Sequence, residues 1–213
     1  IWGYCYCVWN VGDSMSKIEV DEVVNQTGDN DSGIDLTTND QIGFKIANAS
    51  KWTLNSSGNL FPASTSQGIV LGATSDTSAN RLTEYEEGTW TPTVNSGGIT
   101  PLNCTYVKVG DFVYVSANLA DITDTGTSTM VQIGGLPFTS QSASQATGSV
   151  MFRYLNAPTN YVQLTPLING SSTTVIFYWS SGAGASWGSM GYSDVSGSDP
   201  WDMIIGIGYR ATG

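Results

Sequence analysis

Apolar and polar residues alternate most cleanly near the end of the chain. Trp201, Met203, Ile205, Ile207 and Tyr209 occupy every second position, the period of a strand with one buried face. Gly206 and Gly208 on the other face predict close packing against another backbone. Val113, Val115, Ala117 and Leu119 follow the same period, and Tyr106–Val109 and Phe112–Val115 flank Gly110-Asp111 as a hairpin would. Asn169-Gly170, between Leu164–Ile168 and Thr173–Trp179, predicts a two-residue hairpin turn, since both residue types tolerate positive φ. No window carries a helical period. Residues 89–213 hold 15 of the 23 aromatic residues, with turn signals at short spacing. They predict a β-sandwich of jelly-roll-like form.

Residues 15–88 have a different pattern. Ile18 and Val20 alternate with polar neighbours as in a short strand, and Gly28 to Gly33 is turn-rich. Small apolar bursts follow: Ile34/Leu36, Phe44/Ile46, Trp52/Leu54, Leu60/Phe61 and Ile69-Val70-Leu71, separated by Asn, Ser, Thr and Gly. No burst of this size can bury itself, and an isolated pair of strands is marginal in water. Identical partners that complete a shared core stabilise such a segment most easily; disorder is the competing reading. Residues 1–14, IWGYCYCVWNVGDS, are aromatic and apolar and match neither pattern. They read as an upstream extension or as an adhesive arm for a neighbouring protein.

The whole chain is all-β by composition: charged residues are only 12%, and the helix-favouring types are scarce. Its net charge is −11. Residues 1–88 carry twelve acidic and four basic side chains, and the remainder six and three. Such a chain repels phosphate backbones, so nucleic acid is not an expected partner. No apolar run approaches the ~20 residues of a membrane span, and no membrane insertion is expected. No signal-peptide pattern is visible. Cys5, Cys7 and Cys104 make no disulfide framework, and the absence of histidine argues against zinc.

Particular segments carry a resemblance. Ile69-Val70-Leu71-Gly72, Asn80-Arg81-Leu82 and Tyr85-Glu86-Glu87-Gly88-Thr89-Trp90-Thr91-Pro92-Thr93 together resemble a segment of tail-fibre and related structural proteins of bacteriophages, especially marine and cyanobacterial ones. Lys51-Trp52-Thr53-Leu54 with Gly58-Asn59-Leu60-Phe61-Pro62 is similar to a repeated element of phage fibre shafts. Tyr106–Tyr114, Gly135-Leu136-Pro137-Phe138 and Ile205–Arg210 resemble parts of the terminal knob, and Met15–Val20 resembles the start of short cyanophage fibre proteins. The resemblance covers roughly residues 15–213. It implies a homotrimer with an extended, intertwined β-structured shaft over residues 15–88 and a β-sandwich knob over residues 89–213. It implies a virion location on the tail or capsid, contact with other virion proteins through the N-terminal region, and attachment to a host-surface glycan or protein. A head or tail decoration fibre without a specific receptor is the related alternative. A carbohydrate-binding module of a secreted bacterial protein is the alternative from another class.

Candidate chemistry is sparse, and no enzyme activity and no cofactor are expected. Gly184-Ala185-Ser186-Trp187-Gly188 matches the hydrolase elbow in form only, because that device needs a base and a following helix. Glu84, Glu86 and Glu87 are acids at the boundary of the two segments. Glycoside cleavage would need two carboxyls across a cleft. Hydrogen bonding to turn amides or to a neighbouring subunit is the stronger reading, and Glu84, Tyr85, Glu86 and Trp90 are the expected junction and trimer contacts. Asp29-Asn30-Asp31-Ser32-Gly33-Ile34-Asp35 has oxygen ligands at calcium-like spacing but not the EF-hand order, so an acidic turn is expected. Cys104 reads as a small strand residue. Tyr178, Trp179, Trp187 and Tyr192 are the candidate ligand contacts, because aromatic faces stack on sugars and give large contact area.

Overall fold

The computed structural model describes residues 20–24, 31–76, 80–82, 84–123, 127–157, 159–182, 184–195 and 200–212. Readings made on residues 1–19, on Asp29 and on Asn30 lie outside the described residues. The chain is all-β: the described residues hold no α-helix, and Tyr192–Val195 is a short 3-10 turn. It divides into two units, one ending at Thr83 and one starting at Glu84. The division falls five residues before the boundary read from the sequence, because Tyr85–Thr89 forms a strand of the second unit.

The first unit contains β1 (Glu22–Val24), β2 (Gly33–Asp35), β3 (Ile42–Ile46), β4 (Ala49–Leu54) and β5 (Leu60–Pro62). They form a five-stranded antiparallel meander in chain order. A separate short pair joins β6 (Ile69–Val70) to β7 (Arg81–Leu82). Strands β2 to β6 coincide with the apolar bursts of the sequence, β1 and β7 do not, and each bonds to a neighbour within the same chain. Among the described residues of this unit only Gly43 is buried. Its described residues thus form hydrogen-bonded sheets without an apolar core.

The second unit contains β8 (Tyr85–Thr89), β9 (Thr93–Val94), β10 (Thr100–Val109), β11 (Phe112–Ile122), β12 (Gln132–Gly134), β13 (Ala146–Arg153), β14 (Gln163–Ile168), β15 (Val175–Ser180), β16 (Gly188–Ser189) and β17 (Trp201–Arg210). They make one ten-stranded sheet in the order β8-β10-β11-β17-β13-β14-β15-β12-β9, with β16 on β15. β13 belongs to both halves: Ala146 and Thr147 pair with β14, and Gly148–Arg153 pair with β17. The sheet therefore curls at β13 into two leaves. Val113, Val115, Ala117, Leu119, Ile205 and Ile207 from one leaf share a core with Ile133, Ile168, Val175, Phe177 and Trp179 from the other.

The period-two alternations set this arrangement. Along β17 the residues Trp201, Met203, Ile205, Ile207 and Tyr209 are all buried, as their spacing predicts. The β10–β11 hairpin closes on Gly110-Asp111, with Val109 opposite Phe112 and Gly110 at a φ of 55°. Two expectations are corrected. Asn169-Gly170 does not make a two-residue turn: β14 and β15 pair at Ile168 and Val175, leaving a six-residue connection with Ser171 at positive φ. Ser140 holds that connection through its backbone and through its hydroxyl, which donates to the Asn169 carbonyl at 2.6 Å. Gly170 is needed because a Cβ there would overlap the Ser142 carbonyl. Gly206 and Gly208 are covered by the side chains of Tyr114 and Phe112 on β11, more than by the backbone contact expected. Aromatic rings laid across strand glycines restore the contact that a missing side chain gives up.

Candidate functional site

Three surfaces bring chemistry-bearing side chains together. The first is one face of the meander in the first unit. Residues paired across antiparallel strands share a face. The ladder therefore sets Val23, Ile34, Phe44, Trp52 and Pro62 in one row across all five strands. Ile42, Leu54 and Leu60 form a second row on the same face. The opposite face carries Glu22, Asp35, Lys45 and Thr53, together with the exposed Val24 and Phe61. There Lys45 pairs with Glu22, which raises the lysine pKa. Thr37 donates its hydroxyl and its amide to the Asp35 carboxylate and lowers that pKa. Val23, Ile34, Ile42, Phe44 and Leu60 are all exposed.

The second place is β8. Glu84 pairs with Lys108, a nearly buried lysine whose Nζ lies 5.4 Å from the centroid of the Phe138 ring. Glu86 accepts from the Tyr106 hydroxyl, and that bond raises the phenol pKa. Tyr85 donates to Glu87 at 2.9 Å, with the same effect on its own pKa. Among the described residues the carboxylates thus bond to side chains of the same chain and not to turn amides. Trp90 is a correction: it is buried in the core of its own unit, with Nε1 donating to the Ser116 carbonyl at 3.2 Å, and offers nothing to a neighbouring copy.

The third place is the end of β15. Tyr178 and Trp179 are adjacent and so point to opposite faces. Trp179 is 2% exposed, with Tyr161 stacked on it at 5.2 Å and Phe152 edge-on at 6.2 Å. Its Nε1 has no hydrogen-bond partner among the described residues. Tyr192 is fully buried and donates to Asn95 Oδ1 at 3.2 Å. The expectation of ligand contact is corrected for these two, because their rings fill the core. Tyr178 and Trp187 remain accessible: Trp187 is 76% exposed and meets Tyr178 edge to face at 6.3 Å. The Gly184–Gly188 segment leads into strand β16 and not into a helix.

Sequence reasoning missed a depression of about 490 Å³ on the outer face of the second unit, between Leu102, Asn118, Met151, Arg153, Asp202 and Ile204. Asp202 accepts from the Asp121 amide and from Arg153, and both bonds lower its pKa, the amide more. The Arg153 guanidinium also lies 5.3 Å from the centroid of the Tyr154 ring. The partners Arg153 and Asp202 are 49 positions apart, so no local pattern announces the pair. Cys104 is buried in β10, and burial raises its thiol pKa. Among the described residues no three Asp, Glu, Cys or His side chains gather as metal ligands. Neither a family model, a curated protein nor a solved structure matches this chain.

Proposed function

We propose that this chain is a structural fibre protein of a bacteriophage virion, acting as a homotrimer that attaches to the host surface through its second unit. The observation that carries the reading is the contrast between the two units. The second buries a large apolar core. The first lays eight apolar residues on one sheet face and buries none of them within its described residues: five are exposed, and Trp52, Leu54 and Pro62 are half-covered. A sheet with one bare apolar face is incomplete as a monomer. Copies of the same chain complete it at no cost in charge, because the two rows contain no ionisable side chain. The strands already find hydrogen-bond partners within the chain, so copies meet face to face through side chains. In this reading the first unit is the shaft and the second the knob. The segments around Tyr85–Thr93, which resemble phage fibre proteins, support the virion assignment.

A second reading is a carbohydrate-binding module. The accessible pair Trp187 and Tyr178, in edge-to-face contact, favours it, since an exposed aromatic face can stack on a sugar ring. The mass in solution separates the two. Light scattering on the full chain should give about three times its 22.6 kDa. A mass of one chain at all concentrations overturns the fibre reading in favour of the module.

A further inference from the structure

Exposed apolar side chains of the second unit are concentrated on the outer face of one leaf, β8-β10-β11-β17-β13. The register sets Tyr85, Val109 and Phe112 in one row, with Val107 and Tyr114 in the next. Further along the same strands Ile204 pairs with Met151, and Leu102 lies beside them in the depression. All of these are exposed, Met151 to 65%. Between the two patches Thr89, Thr105, Ser116, Gly206 and Ser149 form a strip of small residues.

We infer that this leaf is a second self-association surface, on which the patch around Phe112 of one copy seats against the Met151 patch of the next. The inference rests on the homotrimer proposed above. Charge is the reason for choosing another copy as the occupant. The chain carries eighteen acidic and seven basic side chains, so two copies repel over most of their surface. On the strands of this face Arg153 pairs with Asp202, Arg210 and Glu87 lie on other strands, and exposed Asp121 stands near Arg153, so three acids meet two arginines, a far smaller excess than over the whole chain. In that contact the five exposed side chains of the Phe112 patch meet the three of the Met151 patch, so each partner contributes on the order of 300–500 Å², a small interface that suits an assembly already held through the first unit. Two different patches on one face make a head-to-tail contact, which closes into a ring when the rotation allows. The outer face of the other leaf has none of the large exposed apolar residues in its strands β14, β15 and β12.

The test uses the purified full chain with a benzophenone amino acid in place of Met151, or in place of Gln163 on the other leaf as a control. Irradiation should join chain to chain from position 151 and not from position 163. Independently, Val107→Asp with Met151→Asp should raise the apparent dissociation constant of the assembly at least ~10-fold, about 1.4 kcal/mol. A multimeric chain with no chain-to-chain product from position 151 overturns this inference and leaves association through the first unit intact. A chain that is single at every concentration overturns both.

Discussion

Tyr209 shows how a single buried group ties stability to pH. Its ring lies in the core, and its hydroxyl donates to the Phe138 carbonyl at 2.9 Å. Burial pushes its phenol up to about 12 from an ordinary 10.0. Between those values the unfolded chain gives up a proton that the folded chain keeps, so stability is complete below the lower value and falls as pH rises towards the upper. Urea unfolding of the second unit at stepped pH should show that fall. Tyr209→Phe should remove this residue's part of it and cost ~1 kcal/mol at neutral pH by stripping the Phe138 carbonyl of its donor. The alternation through β17 makes the inward direction of Tyr209 legible in the sequence. The same rule places Trp179 inside once Val175 and Phe177 are seen to share its face. Tyr192 was not legible, because its burial depends on the 3-10 turn and on Asn95, 97 positions away.

At the scale of the element, the strands were legible wherever a side-chain period extends over several residues, as in β11 and β17. The short bursts of the first unit also announced β2 to β5. Two features escaped. The motif at Tyr85–Thr89 gives no sign of its partner, which lies in β10, so it reads as a boundary while the fold uses it as a sheet strand. The Asn169-Gly170 signal is strong locally, yet Ser140 captures that backbone and lengthens the connection. The common face of Val23, Ile34, Phe44, Trp52 and Pro62 depends on register across five strands and so appears only in the structure. Phe44→Asp places a charge at the centre of that face. We expect it to reduce the mass in solution, or to weaken association at least ~10-fold, while the thermal unfolding of the second unit is unchanged. Loss of both transitions together would contradict the independence of the two units.

For the whole molecule, the two units divide the work of stability. The second buries its apolar side chains within one chain and can order itself alone. Among its described residues the first leaves on the order of 500 Å² of apolar surface exposed, and covering it is worth roughly 10 kcal/mol by area. That is comparable with the entire stability of a small domain, so the proposed association predicts that order in the first unit depends on concentration. The central claim is that copies of the chain complete the first unit. Amide hydrogen exchange across a dilution series tests it most directly. Protection in β3 and β4 should fall as the assembly dissociates, while β11 and β17 stay protected at every concentration. Equal protection of β3 and β4 in a single chain at the highest dilution would contradict the account.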